Sequence, residues 1–165
     1  VIGISCAFWV PGIRVWGVDI SEKAVALSRK NAEKLGVMDR VSFFRSDLFE
    51  ALRGLQIQFD AILSNPPYVP STEWGLLSPE IREYEPREAL VAGGDGLKVV
   101  WRVIEEGLLF LREGGFFFIE HDPRQVDIIR EKVRRNSLLE YLRPITDYNG
   151  KIRASVLRKR EEETD

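Results

Sequence analysis

The chain is poor in the residues that build disulfide frameworks and metal sites. Its 165 residues include one cysteine, Cys6, and one histidine, His121. A single cysteine closes no internal disulfide, so nothing points to an oxidising compartment, and the cytoplasm is the expected location. One His and one Cys do not make a zinc site, and no metal is expected. An excess of one charge is lacking too: 24 Lys and Arg face 26 Asp and Glu, for a net charge of −2. Proteins that grip nucleic acid through its phosphates carry a basic excess or stripe, so nucleic acid is not expected as the direct substrate. No apolar run is long enough to cross a membrane. The most apolar stretch, residues 1–10, lacks a basic leader and a small-residue cleavage site, and Pro11-Gly12 ends it early. It reads as a buried helix. A hydrophobic share of 44% and a charged share of 30% fit one globular domain with a core of its own. Residues 1–158 are expected to form that domain, and residues 159–165 a charged, frayed tail.

The rest of the chain alternates between strand and helix periods. Residues 14–18 (RVWGV), 41–45 (VSFFR) and 59–64 (FDAILS) are short apolar runs that end at Asp19, near Asp47 and at Asn65. Ser21 has the place of an N-cap. A helix follows it, with Ala24, Val25, Leu27, Ala32 and Leu35 at helical spacing and Gly36 as its stop. Residues 69–96 form a long polar, proline-containing segment, the kind of loop that carries function. A helix is predicted over 97–111, stopped by Gly114-Gly115. A fully buried strand follows over 116–120 (FFFIE), then an amphipathic helix over 124–135. Residues 138–146 and 152–157 form a final strand pair, with Asn149-Gly150 in the turn. This order implies an α/β fold with a doubly wound, mostly parallel sheet and an antiparallel C-terminal strand. Ligands of such sheets bind outside the carboxyl ends of the strands, where Asp19, Asp47 and Asn65 all fall.

Each of these positions has a chemical reading and a plainer one. Asp19 either accepts hydrogen bonds from ribose hydroxyls or complements a helix dipole. Asp47 either accepts from an adenine amino group, with Leu48 beside it offering backbone and an apolar face, or serves as a turn residue. Asn65-Pro66-Pro67-Tyr68 is harder to explain as a mere turn. Proline fixes φ and removes an N–H donor. The Asn65 side-chain carbonyl and the Pro66 main-chain carbonyl are then two acceptors suited to an NH2 group. Holding both hydrogens aims the nitrogen lone pair at an electrophile. Tyr68 can stack on the flat group that carries the nitrogen.

Ser64-Asn65-Pro66-Pro67-Tyr68 resembles the signature of amino-methyltransferases, which act on adenine, guanine or glutamine nitrogens. Residues 84–90 (YEPREAL), followed by Gly93-Gly94-Asp95-Gly96-Leu97, resemble the HemK/PrmC family, which methylates the glutamine of the Gly-Gly-Gln motif in peptide chain release factors. The ending, with Asp147-Tyr148 before Gly150-Lys151 and Arg153, is similar as well. The resemblance implies a Rossmann-like methyltransferase fold. It implies S-adenosyl-L-methionine as cofactor, S-adenosyl-L-homocysteine as product and release factors as protein partners. Carried over residue by residue, Asp19 would hold the cofactor ribose and Asp47-Leu48 would flank its adenine. Asn65 would touch cofactor and substrate, and Asn65, Pro66, Pro67 and Tyr68 would clamp the amide.

The sequence departs from that family in three respects. The Gly-Thr-Gly-Ser-Gly type loop and the first strand before it are absent, as is the helical N-terminal domain; this gives the expectation of a chain incomplete at its start, with two strand edges unpaired. His121 stands where the family has glycine, and reads as a partly exposed histidine with a local hydrogen bond. Two other functions remain open: a nucleic-acid adenine or guanine N-methyltransferase using the same clamp, and a non-catalytic methyltransferase-like binding module.

Overall fold

The computed structural model describes residues 1–161. The chain divides into two compact units, the first Val1–Ile57 and the second from Gln58 onward.

In the first unit, α1 (Ile2–Trp9) leads into β1 (Val15–Asp19), α2 (Glu22–Lys34) and β2 (Val41–Arg45). The strands pair in parallel, Val15 opposite Val41 through to Asp19 opposite Arg45. Ser21 caps α2 by accepting from the Ala24 amide at 3.3 Å, and Gly36 ends the helix with φ +65°, a value that suits a residue without Cβ. The unit's core is Ile4, Ala7, Ala32, Val37 and Val41, with Val15 and Phe43 packed against it. The expectation that residues 1–10 form a buried helix is corrected. Only Ile4 and Ala7 are buried, whereas Ile2, Phe8 and Trp9 are exposed. A helix this short turns one strip toward its core. A sequence apolar on every side does not reveal that the other strip stays outside. In α2, Val25 and Ala32 face in while Leu27 is exposed, and Leu35, just past the end of the helix, is exposed too.

The second unit holds β3 (Phe59–Ser64), α3 (Pro79–Tyr84), α4 (Lys98–Gly107), β4 (Leu111–Glu120), α5 (Val126–Arg134), β5 (Leu139–Thr146) and β6 (Ile152–Lys159). Its sheet runs β3-β4-β6-β5, with β3 parallel to β4 and both β6 pairings antiparallel. The α/β class, the parallel strands and the antiparallel C-terminal pair are as the sequence predicts. Among the described residues β1 pairs only with β2, and β3 only with β4. The long segment after β3 is not a bare loop. It carries short 3-10 helices at Ser71–Leu76 and Arg87–Ala89, and α3 between them.

The helix predicted over 97–111 ends at Gly107, and Leu111 already belongs to β4. Leu108, Leu109, Phe110 and Leu111 continue an apolar pattern that a sequence reading extends as helix. The chain instead turns, with the Phe110 amide on the Gly107 carbonyl and the Phe59 amide on the Phe110 carbonyl. Gly114-Gly115 is therefore a bulge within β4 and not a helix stop. Leu111 pairs with Phe59 and Phe116 with Ala61, and Gly114 takes up φ +69°. Residues 116–120 are also not fully buried: Phe117 and Ile119 are, while Phe116, Phe118 and Glu120 on the other face are half-buried.

His121 is another correction. It is buried, at 1% exposure, because it links three strands instead of facing out. Its Nδ1 lies 2.8 Å from the Asp122 carbonyl, which can only accept, so Nδ1 carries the proton. Nε2 then accepts from the Ser155 hydroxyl at 2.8 Å, and the Ser155 oxygen is 3.3 Å from the Tyr141 hydroxyl. Burial lowers the imidazole pKa below its ordinary value. The expected tail also starts late. Lys159 completes β6, its Nζ donating to the carbonyls of Leu108 (3.1 Å) and Leu111 (2.8 Å), and Arg160 Nε donates to the Leu139 carbonyl. Residues 162–165 of that expectation lie outside the described residues.

Two measurements check these points. Lys159→Met leaves two main-chain carbonyls without their donor, and urea unfolding is expected to show a loss of about 1–3 kcal/mol. For His121, the unfolded chain binds a proton near pH 6.5 that the folded chain refuses until a lower pH. The stability of the neutral ring is thus fully present above the unfolded pKa and is lost as pH falls below it toward the folded value. Thermal unfolding midpoints should fall more steeply with acidification in the natural protein than in His121→Gln. Parallel slopes would remove His121 from the account.

Candidate active site

In the first unit, the parallel register places the carboxyl ends of β1 and β2 side by side. Asp19 is exposed there. Its Oδ1 accepts from the Ser21 amide at 2.8 Å, and its main-chain carbonyl accepts from the Ser46 amide at 2.9 Å. Asp47 and Leu48 leave β2 one residue later, both half-buried. The Ser46 hydroxyl accepts from the Ala51 amide, and the Asp47 carbonyl accepts from the Glu50 amide, so the turn is closed from behind. Leu48 is the one non-glycine described residue with positive φ, at +47°. A leucine held there costs roughly 1 kcal/mol or more, and such strain gathers where ligands are gripped. An exposed acid at one strand end beside a strained backbone turn at the next is a donor-acceptor set that fits a nucleoside: hydroxyls for Asp19, a base edge for Asp47-Leu48.

In the second unit, the ends of β3 and β4 are adjacent, Ser64 opposite Ile119. Asn65 leaves β3 exposed, Pro66 is buried, and Pro67 and Tyr68 are half-buried. Among the described residues no hydrogen bond engages the Asn65 side chain or the Pro66 carbonyl. Tyr68, by contrast, is held at both ends. Its hydroxyl donates to Glu120 Oε1 at 3.3 Å, and its carbonyl accepts from Gln125 Nε2 at 3.0 Å. Burial raises the phenol pKa, and the Glu120 carboxylate raises it further, so Tyr68 stays a donor.

The segment from Val69 onward is fastened to residues 90–97. The Val69 amide donates to the Leu90 carbonyl, the Ala92 amide to the Val69 carbonyl and the Ser71 amide to the Gly93 carbonyl, at 2.8–3.0 Å. Gly96, at φ +75°, passes so close that a Cβ there would lie 2.1 Å from the Tyr68 carbonyl oxygen. Arg124 grips both Glu73 oxygens at 2.9 and 2.8 Å and reaches Asp122 at 2.8 Å. The Arg124 hydrogen bonds hold both carboxyls below their ordinary pKa values, and they push the guanidinium's own pKa up. Arg153 does the same to Asp147, the two 2.9 Å apart.

The sequence-derived candidates fall into two groups. Asp19, Asp47 and Leu48 come together on the first unit, and Asn65, Pro66, Pro67 and Tyr68 on the second. Sequence reasoning missed Gln125, and it gave Glu120 no part in holding Tyr68. The only signal for Gln125 was Asp122-Pro123-Arg124-Gln125, which has the spacing of a capping box and forms one. That pattern announces a helix start and says nothing of a reach back to Tyr68.

Residues 1–83 match the methyltransferase small domain family. A curated relative, the release factor glutamine methyltransferase of Gloeobacter violaceus, is 37% identical over 149 residues, 90% of this chain and 51% of its own length. The chain spans about half the length of the curated relatives it matches. Among solved structures, the ribosomal protein L11 methylase of Lactobacillus delbrueckii subsp. bulgaricus superposes with a TM-score of 0.65 at 14% identity, covering 97% of this chain and 65% of that one. A Streptococcus mutans protein solved in complex with SAH gives a TM-score of 0.54 at 16% identity, covering 88% and 76%. At such identities these likenesses speak for the fold alone, the doubly wound α/β class expected from the sequence. The resemblance to the HemK/PrmC family is likewise borne out by the relatives' names. On the match over its first 83 residues, the chain belongs to the methyltransferase small domain family.

Proposed function

We propose that the protein transfers a methyl group from S-adenosyl-L-methionine to the side-chain amide nitrogen of a glutamine, that of the Gly-Gly-Gln motif in peptide chain release factors. The observation that carries the reading is the state of the β3 exit. Two acceptors, the Asn65 side-chain carbonyl and the Pro66 main-chain carbonyl, have no partner among the described residues, while Tyr68 beside them is fastened at both ends. A pair of free acceptors on a rigid turn suits an NH2 group, whose two hydrogens each need one. The names of the relatives supply the substrate in this reading. The proposal covers the domain assignment, residues 1–158, and a cytoplasmic location. Among the described residues, no helix is long and apolar enough to cross a membrane.

The bound cofactor supplies an electrophilic methyl on a sulfonium. The chain's own residues do the rest. Asp19 accepts from the ribose hydroxyls, and Asp47 with Leu48 borders the adenine. Asn65 and Pro66 hold the amide hydrogens, which draws the nitrogen lone pair out of conjugation and fixes its direction. Tyr68 covers the amide plane, and Pro67 keeps the turn from relaxing. No strong base is required, because the proton lost from the methylated amide can leave to water.

Intact-mass analysis of a purified release factor, incubated with S-adenosyl-L-methionine and the full gene product, is the test. A gain of one methyl on the Gly-Gly-Gln glutamine is expected, with kcat lowered about 100- to 1000-fold in Asn65→Ala. No gain on the release factor, with methylation of adenine or guanine in nucleic acid instead, would transfer the clamp to the other substrate class. For the nucleoside side, Asp19→Ala is expected to weaken cofactor binding about 10- to 100-fold by calorimetry, as loss of a charge-assisted hydrogen bond does. An unchanged affinity would take Asp19 out of the cofactor site.

A further inference from the structure

We propose that Gln125 is a positioning residue for the amide clamp: its carboxamide fixes where the Tyr68 main chain stands, and through it the spacing of the Asn65–Tyr68 turn. This rests on the reading just given and names a residue that the reading does not use. Gln125 is 5% exposed, and its side chain is fully engaged. Oε1 accepts from the Asp122 amide at 3.0 Å, while Nε2 donates to the Tyr68 carbonyl at 3.0 Å and to the Asp95 carbonyl at 2.9 Å.

A helix cap uses only the first of these bonds. The Nε2 pair has a different geometry and a different consequence. An NH2 group is planar, with its two hydrogens at a fixed angle, so two carbonyls that share it are set at a fixed separation. One of those carbonyls belongs to the clamp turn and the other to the Gly93-Gly94-Asp95-Gly96 segment. Gly96 removes the remaining freedom. A Cβ on it would fall 2.1 Å from the Tyr68 oxygen and 2.7 Å from Gln125 Nε2, so only a bare backbone fits beside the shared amide. The far end of Tyr68 is held by Glu120, the last residue of β4, and Gln125 stands in the turn that follows that strand. One strand end therefore grips Tyr68 twice, at its carbonyl and at its hydroxyl. Displacing the carbonyl tilts the ring and shifts the turn back toward Pro66, which is buried.

Two substitutions separate positioning from capping. Gln125→Glu keeps an oxygen for the Asp122 amide and remains a sound cap, but it turns an acceptor toward two carbonyls. Gln125→Met keeps length and bulk and loses all three bonds. In the full gene product both variants are expected to lower kcat for glutamine methylation about 10- to 100-fold, the scale of a small misplacement of a reacting group, with cofactor affinity by calorimetry unchanged. Amide hydrogen exchange at Val69, Ser71 and Ala92 should speed up in both, with the β5 and β6 amides still protected. Wild-type kcat in Gln125→Glu would overturn the proposal, since a cap alone would then suffice. So would unchanged exchange at Val69, Ser71 and Ala92. If the natural protein itself leaves release factors unmethylated, the exchange measurement still decides whether Gln125 holds the turn, and the two readings fail separately.

Discussion

Two stretches of backbone meet where the Tyr68 carbonyl passes over Gly96, at a distance that excludes even a methyl group. Much of the second unit's functional end follows from that contact. Because the chains are this close, the peptide groups on either side can pair, and they do so from Val69 to Gly93. Because they pair, the insertion between them leaves and returns at one place, with its short helices strung on a closed base. A further brace comes from Arg124, whose bidentate hold on Glu73 ties the outgoing limb to the turn after β4. Proline rings at 66 and 67 stiffen the segment from within, and hydrogen bonds stiffen it from outside. What is left without a partner among the described residues, the Asn65 side-chain amide and the Pro66 carbonyl, is thereby presented by a rigid frame.

The first unit reaches a similar result with other means. It has no proline pair at its strand ends. It uses a short carboxylate that first organises its own turn, through the Ser21 amide, and a leucine forced into left-handed geometry. A backbone twisted that way turns its peptide groups in directions that a relaxed strand end does not offer. Exposed carboxylate and twisted peptide lie at and just beyond the ends of adjacent parallel strands, whose register brings those ends side by side.

What was legible in the sequence follows from physical range. Strands with apolar runs and a clear polar end, such as residues 59–64, coincide with the observed elements, because alternation and burial are local properties. Ser21 and Gly36 marked the ends of α2 for the same reason. The Asn65-Pro66-Pro67-Tyr68 turn stood out because proline restricts its own residue and the one before it. The errors fall where one pattern serves two structures. Leu108–Leu111 is apolar enough to continue a helix or begin a strand, and the glycines that follow fit a helix stop as well as a bulge. Whether His121 is exposed depends on Ser155 and Tyr141, which approach only when β6 and β5 close on β4. Gln125 was invisible because its partners lie 57 and 30 residues away and are main-chain atoms, which leave no side-chain trace in a sequence.

The strand order has a consequence for how the protein is made. β6 is the last described strand in sequence, yet it lies between β4 and β5. Until residues 152–159 have been synthesised, β4 has an open edge on that side and β5 has no strand neighbour among the described residues. His121 likewise lacks its Ser155 partner, and the carbonyls after α4 lack Lys159. The pairing of β1 with β2 needs none of these residues and is available once β2 has been made. On a ribosome adding about 5–20 residues per second, the strand pair of the first unit is thus available earlier, whereas the sheet of the second unit closes only once residues 152–159 have emerged.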